Sequence, residues 1–101
     1  MIKKINLKDE QSLIALYDIQ KSAYAVEAQL INFWNIPPLI EELQELRDSQ
    51  ETFLGFYMKE ELTGALAYTK EHHTITICRL TTDPKYFKKG IAQKLLDELI
   101  E

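Results

Sequence analysis

Glycine is scarce in this chain: three in 101 residues, beside three prolines, one cysteine and one tryptophan. So few breakers exclude a low-complexity or linker-rich polypeptide, and neither an internal repeat nor an interdomain linker is visible. One cysteine, Cys78, cannot make an internal disulfide, which excludes a disulfide-stapled scaffold and points to a reducing cytoplasm. Long apolar runs are missing too. None approaches the ~18 residues of a membrane span, so no membrane partner is expected. Behind Lys3 and Lys4 there is no apolar stretch, so no secretory leader is expected either. A basic surplus is also absent: 12 Lys and Arg against 16 Asp and Glu leave a net charge of −4. A phosphate-neutralising surface needs the opposite balance, so nucleic acid is disfavoured as a partner despite the local cluster Lys85, Lys88, Lys89 and Lys94.

What is present is the composition of an ordinary globular domain, and at this length one domain with one core is the simplest reading. "IKKINL" predicts a short strand, and Asp9 is placed to cap a helix whose first turn carries Glu10. From Ser12 to about Leu30, apolar Leu13, Leu16, Tyr17, Ala23 and Tyr24 recur at helical spacing. "NIPPL" interrupts, because Pro37 restricts Ile36 to extended geometry and Pro38 suits the first turn of a new helix. Leu39, Leu43 and Leu46 predict that this second helix is continuous. The period then becomes that of strands. "TFLGFYM" and "LTGALAYT" flank "KEE" as a hairpin, and "KEHH" leads into "TITICRLT". Strict alternation in that strand puts Ile75, Ile77 and Arg79 on one face. A last helix carries Ile91, Leu95, Leu96, Leu99 and Ile100 on its buried side. The expected order is β-α-α-β-β-β-α, an α/β (α+β) sandwich with a mainly antiparallel sheet.

Gly90, in "DPKYFKKGIAQKLL", stands where a strand gives way to a helix through a proline turn. Unpaired N–H groups and a partial positive charge at a helix start attract phosphate, and a glycine permits close backbone approach. An alternative reading is a glycine that merely eases the turn. Neither a phosphate loop nor a dinucleotide fingerprint is present, since no further glycines or Gly-Lys-Ser/Thr stand at the required spacing. The segment "LTTDPKYFKKGIA" resembles motif A of the GCN5-related N-acetyltransferases, Leu-x-Val-x-Pro-x-Tyr followed by Arg/Gln-x-x-Gly-x-Gly/Ala. Leu80, Pro84, Tyr86, Gly90, Ile91 and Ala92 stand at the matching positions, while Thr82 replaces Val and Phe87 replaces Arg or Gln. The element order resembles the first half of the same family.

The resemblance implies an acyl-CoA N-acyltransferase-like fold, acetyl-CoA as cosubstrate, and acetyl transfer to a primary amine of a small molecule or peptide by direct attack. It places the coenzyme on Leu80, Thr81, Thr82, Phe87, Lys88, Lys89, Gly90, Ile91 and Ala92. Pyrophosphate would lie on the amides of Lys88 to Ala92, and the pantetheine arm would pair with the strand end at residues 80–82 like an added strand. A backbone N–H would steady the negative oxygen formed at the acetyl carbon. The family continues into further strands after this motif. The chain is therefore expected to be a single domain, 1–101, incomplete at its C-terminus, with an open edge on "TITICRL" that invites a homodimer.

Glu27, near the end of the first helix, is the candidate general base, against a solvated helix glutamate as the plain alternative. The resemblance also lines the acceptor pocket with the first two helices and the "NIPP" loop between them. His72 and His73 are adjacent in a turn and lack a third ligand, so no metal site is expected. Cys78 reads as a buried strand residue, and Arg79 as a side chain that pairs with a carboxylate or reaches solvent. The acidic residues Glu41, Glu42, Glu45, Asp48 and Glu51 suit either a cationic acceptor or a solvated helix face. Two function classes stay open: an N-acetyltransferase, and a noncatalytic coenzyme A-binding or protein-interaction module on the same fold.

Overall fold

Asp9 starts the first long helix as its sequence demands. Its carboxylate accepts from the Ser12 N–H at 3.1 Å and the Ser12 hydroxyl at 2.6 Å, satisfying a donor that the helix cannot. The computed structural model describes residues 1–100. Its elements are β1 (Ile2–Lys4), α1 (Glu10–Ile31), α2 (Pro37–Ile40), α3 (Leu43–Arg47), β2 (Thr52–Met58), β3 (Glu61–Glu71), β4 (Thr74–Thr82), a 3-10 turn (Pro84–Tyr86) and α4 (Ile91–Ile100). The strands pair antiparallel in the order β1-β2-β3-β4. No helix among the described residues is long and apolar enough to cross a membrane.

Alternation along the strands divides the core in two. Phe53, Ala65 and Ala67 meet Leu13, Leu16 and Ile19 of α1 on one face. Leu54 and Leu66 meet Ile91 and Leu95 of α4 on the other. Central β3 is therefore buried on both faces from Leu62 to Ala67, which accounts for its unbroken run of small and apolar residues. Gly64 lets α4 approach: a Cβ there would stand 2.6 Å from the Ile91 side chain and 3.2 Å from the Thr81 carbonyl oxygen.

The expected second helix is two. Glu41 and Glu42 are extended, so the chain breaks between α2 and α3. Glu42 then caps α3 in a reciprocal box, its N–H donating to the Glu45 carboxylate at 2.8 Å. The break frees Glu41 for two tertiary partners. Lys21 of α1 donates to the carbonyls of Pro38, Leu39 and Glu41, closing the C-terminal end of α2 with a cation. Burial holds the Lys21 ammonium below its ordinary value, with Glu41, Glu45 and Glu42 opposing.

The carboxylate of Glu41 goes to Arg79. Arg79 also binds Glu51, at 2.7 Å and 2.9 Å respectively, and donates to the Gln20 side chain of α1 at 3.2 Å. Burial works against the guanidinium's charge, yet the hydrogen bonds to Glu41 and Glu51 outweigh it and raise its pKa. Strict alternation in β4 fails here. Ala67 opposes Arg79 whereas Tyr68 opposes Ile77, so Cys78 is the extra residue of a bulge. The bulge sends Arg79 to the α1 face, leaves Ile75 and Ile77 opposite Lys70 and Tyr68, and exposes Cys78 rather than burying it.

Candidate functional site

The segment from β4 to α4 is held by local bonds. Asp83 accepts from the Lys85 N–H at 3.0 Å and donates its own N–H to the Thr63 carbonyl at 2.8 Å. The second bond makes 63 and 83 a hydrogen-bonded pair, so alternation turns the main-chain groups of Thr82 and Leu80 away from β3, towards the open edge of β4. Tyr86 packs its ring against the α4-face core and donates its hydroxyl to Glu61 at 3.0 Å, a bond that raises the phenol's pKa. The motif tyrosine thus anchors the turn to β3.

Beyond it, Lys88 (φ 70°) and Gly90 (φ 74°) are left-handed, so the chain turns sharply twice before α4 begins. The first N–H bonded within α4 is that of Lys94, which donates to the Gly90 carbonyl at 3.1 Å. The N–H groups of the first turn have no place in the helical ladder and remain available to an anion. A Cβ on Gly90 would meet nothing within 4 Å, so the glycine faces open space.

Gly90 also lines a cleft of about 450 Å³ between α1, the end of β4 and the start of α4. The cleft brings together Glu27, Leu80, Thr81, Thr82, Phe87, Lys88, Gly90, Ile91 and Ala92. Lys89 is turned away and lines a separate hollow with Phe56 and Lys94. The sequence reading missed the rest of the α1 wall: Ala23, Tyr24, Val26 and Leu30. Tyr24, Glu27 and Leu30 are three residues apart, so extending the apolar stripe of α1 through Glu27 would have found them. Glu27 is exposed, at the cleft's border. A second hollow of about 520 Å³ adjoins β4, lined by Pro37, Pro38, Ile40, Glu41, Glu45, Glu51, Cys78 and Arg79. Within the acidic run, Glu41 and Glu51 are engaged by Arg79, and Glu42 and Glu45 by the α3 cap.

The chain matches the acetyltransferase (GNAT) family over residues 13–101. It belongs to that family. Over all 101 residues it is 35% identical to UPF0157 protein YqkA of Bacillus subtilis (strain 168), spanning 29% of that relative's length. Among solved structures, the PaiA N-acetyltransferase of Thermoplasma acidophilum in complex with coenzyme A superposes with a TM-score of 0.73 at 23% identity. That likeness covers 99% of this chain and 69% of that one. The ribosomal-protein-alanine N-acetyltransferase of Brucella melitensis biovar Abortus 2308 gives 0.68 at 19% identity, covering 99% and 68%. An aminoglycoside 6′-N-acetyltransferase complexed with coenzyme A gives 0.67 at 14% identity, covering 98% and 52%. At these identities the structures establish the GNAT fold.

Proposed function

We propose that this chain binds acetyl-CoA in the cleft at Gly90 and carries the coenzyme half of an N-acetyltransferase acting on a primary amine of a small molecule or peptide. One observation carries the reading: a single cleft brings Leu80, Thr82, Gly90, Ile91 and Ala92 of the motif together with Glu27. The N–H groups of Lys88 to Ala92 would hold the pyrophosphate, and the outward main-chain groups of Leu80 and Thr82 would pair with the pantetheine amides. Phe87 and Ile91 add apolar walls.

Acetyl-CoA supplies an activated thioester. Glu27, exposed on the opposite wall, would take the proton that an ammonium must lose before its nitrogen can attack. The backbone beside Leu80 would steady the negative charge on the carbonyl oxygen. The second hollow, walled by Pro37, Pro38 and Ile40, offers the acceptor an approach to β4 distinct from the coenzyme's. Two of its three glutamates are engaged by Arg79, so the reading leaves the acceptor's charge unassigned.

Among the described residues the outer edge of β4 is unpaired. We propose that another strand completes it, from a longer polypeptide or from a second copy in a homodimer, in a cytoplasmic setting. The noncatalytic coenzyme A-binding module is the second reading, favoured by the same unpaired edge of β4. Calorimetry with coenzyme A, thioester consumption over a broad amine panel, and light scattering on this chain test these readings. Binding with turnover is expected of the transferase, and binding without turnover of the module. Absence of binding overturns both.

A further inference from the structure

Two threonines are buried in the sheet. Thr63 donates its hydroxyl to the Phe56 carbonyl at 3.0 Å, as an interior hydroxyl must to recover what it lost in water. Thr81 does not. Its Oγ1 is the one buried side-chain nitrogen or oxygen among the described residues without a hydrogen-bond partner, and the residue is only 3% exposed. Thr81 opposes Ala65, a member of the core on the α1 face, and it also lines the cleft. Valine would fill the same volume, suit a strand at least as well, and bury no hydroxyl. Nothing in the folded chain by itself favours threonine here.

We infer that the Thr81 hydroxyl donates a hydrogen bond to a carbonyl oxygen of the ligand arm lying along the end of β4. This rests on the coenzyme reading above and adds a side-chain contact to it. The hydroxyl surrenders no existing bond when it turns to a ligand, because it has none, and one χ1 step of about 120° exchanges it with the neighbouring substituent. Leu80 and Thr82 present their main chain to the open edge on either side, so an arm paired to them passes Thr81. The remaining wall is mostly apolar, from Ala23, Val26, Leu30, Ile91 and Ala92. In such a wall one placed hydroxyl fixes the register of a sliding arm.

The test compares this chain with Thr81→Val and Thr81→Ser, by thermal melting without ligand and by calorimetry with coenzyme A and with acetyl-CoA. Thr81→Val is expected to melt at or above the parent temperature yet bind about tenfold more weakly. Thr81→Ser is expected to bind within about twofold of the parent. Weakening towards both ligands assigns an amide carbonyl of the arm. Weakening towards acetyl-CoA alone assigns the thioester carbonyl. Parent-like affinity of Thr81→Val for both ligands overturns the inference, as does a valine variant that melts lower or a serine variant that binds as poorly as valine. Failure of the parent chain to bind either ligand overturns the underlying coenzyme reading as well, a result the variants alone cannot produce.

Discussion

Gly90→Ala separates what the fold asks of this position from what a ligand asks. The residue is left-handed at φ 74°, where an L side chain costs about 1–2 kcal/mol. Alanine also narrows the unfolded ensemble, which returns about 0.4–1 kcal/mol. The added Cβ meets nothing within 4 Å, so no clash enters the sum. A net loss of roughly 0.5–1 kcal/mol follows, and for a domain of this size 1 kcal/mol lowers Tm by about 4–8 °C. On the proposed coenzyme site the same Cβ would obstruct close approach of phosphate to the backbone. Displacing the phosphate from even one charge-assisted bond removes about 1.5–3 kcal/mol, or more than a factor of ten in affinity. Gly90→Asn should recover part of the stability, because asparagine tolerates the left-handed region, and none of the binding. Gly90→Glu should abolish binding by adding charge repulsion to the obstruction. Melting curves with and without coenzyme A, together with calorimetry, read both quantities. Parent-like affinity in Gly90→Ala refutes the cradle. A stability loss well beyond 2 kcal/mol with binding intact would show instead that the glycine serves the turn alone.

Three further outcomes are expected. Arg79→Met should cost about 2–3 kcal/mol, below the range for fully buried pairs because Glu41 and Glu51 keep 14% and 20% of their side-chain exposure. Adding Glu41→Gln and Glu51→Gln should restore much of it in chemical denaturation, and a triple variant no more stable than Arg79→Met would contradict the network's role. Lys59 and Glu60 turn the β2–β3 hairpin with φ of 50° and 69°, so Asn-Gly in their place should add about 1 kcal/mol and leave coenzyme affinity unchanged. Melting no higher than the parent would show that this turn carries no strain. Glu27→Gln should lower kcat at least tenfold with coenzyme affinity intact, measured on an assembly that turns over; an unchanged kcat and pH profile would return Glu27 to the solvated surface.

Local signals carried far in this chain. Asp9 caps α1 because a capping carboxylate acts within three residues, and the turn at Lys59 and Glu60 follows from the two alternating runs on either side. The strand end, proline turn, tyrosine and glycine ahead of α4 were legible for the same reason, since they lie in one short segment; the phosphate cradle read from them is part of the proposal. Tertiary structure decided what no window of sequence contains. Arg79 finds Glu51, Glu41 and Gln20 across 28, 38 and 59 residues, and its pull on Glu41 accompanies the break of the expected second helix. The bulge at Cys78 is set by pairing with β3, and one extra residue reverses which face each later side chain of β4 occupies. That reversal puts Thr81 on the α1 face, where only packing could leave its hydroxyl without a partner. Periodicity and caps are properties of neighbours along the chain. Register, burial and the convergence of α1 on the motif depend on contacts whose energies exist only once the sheet has closed.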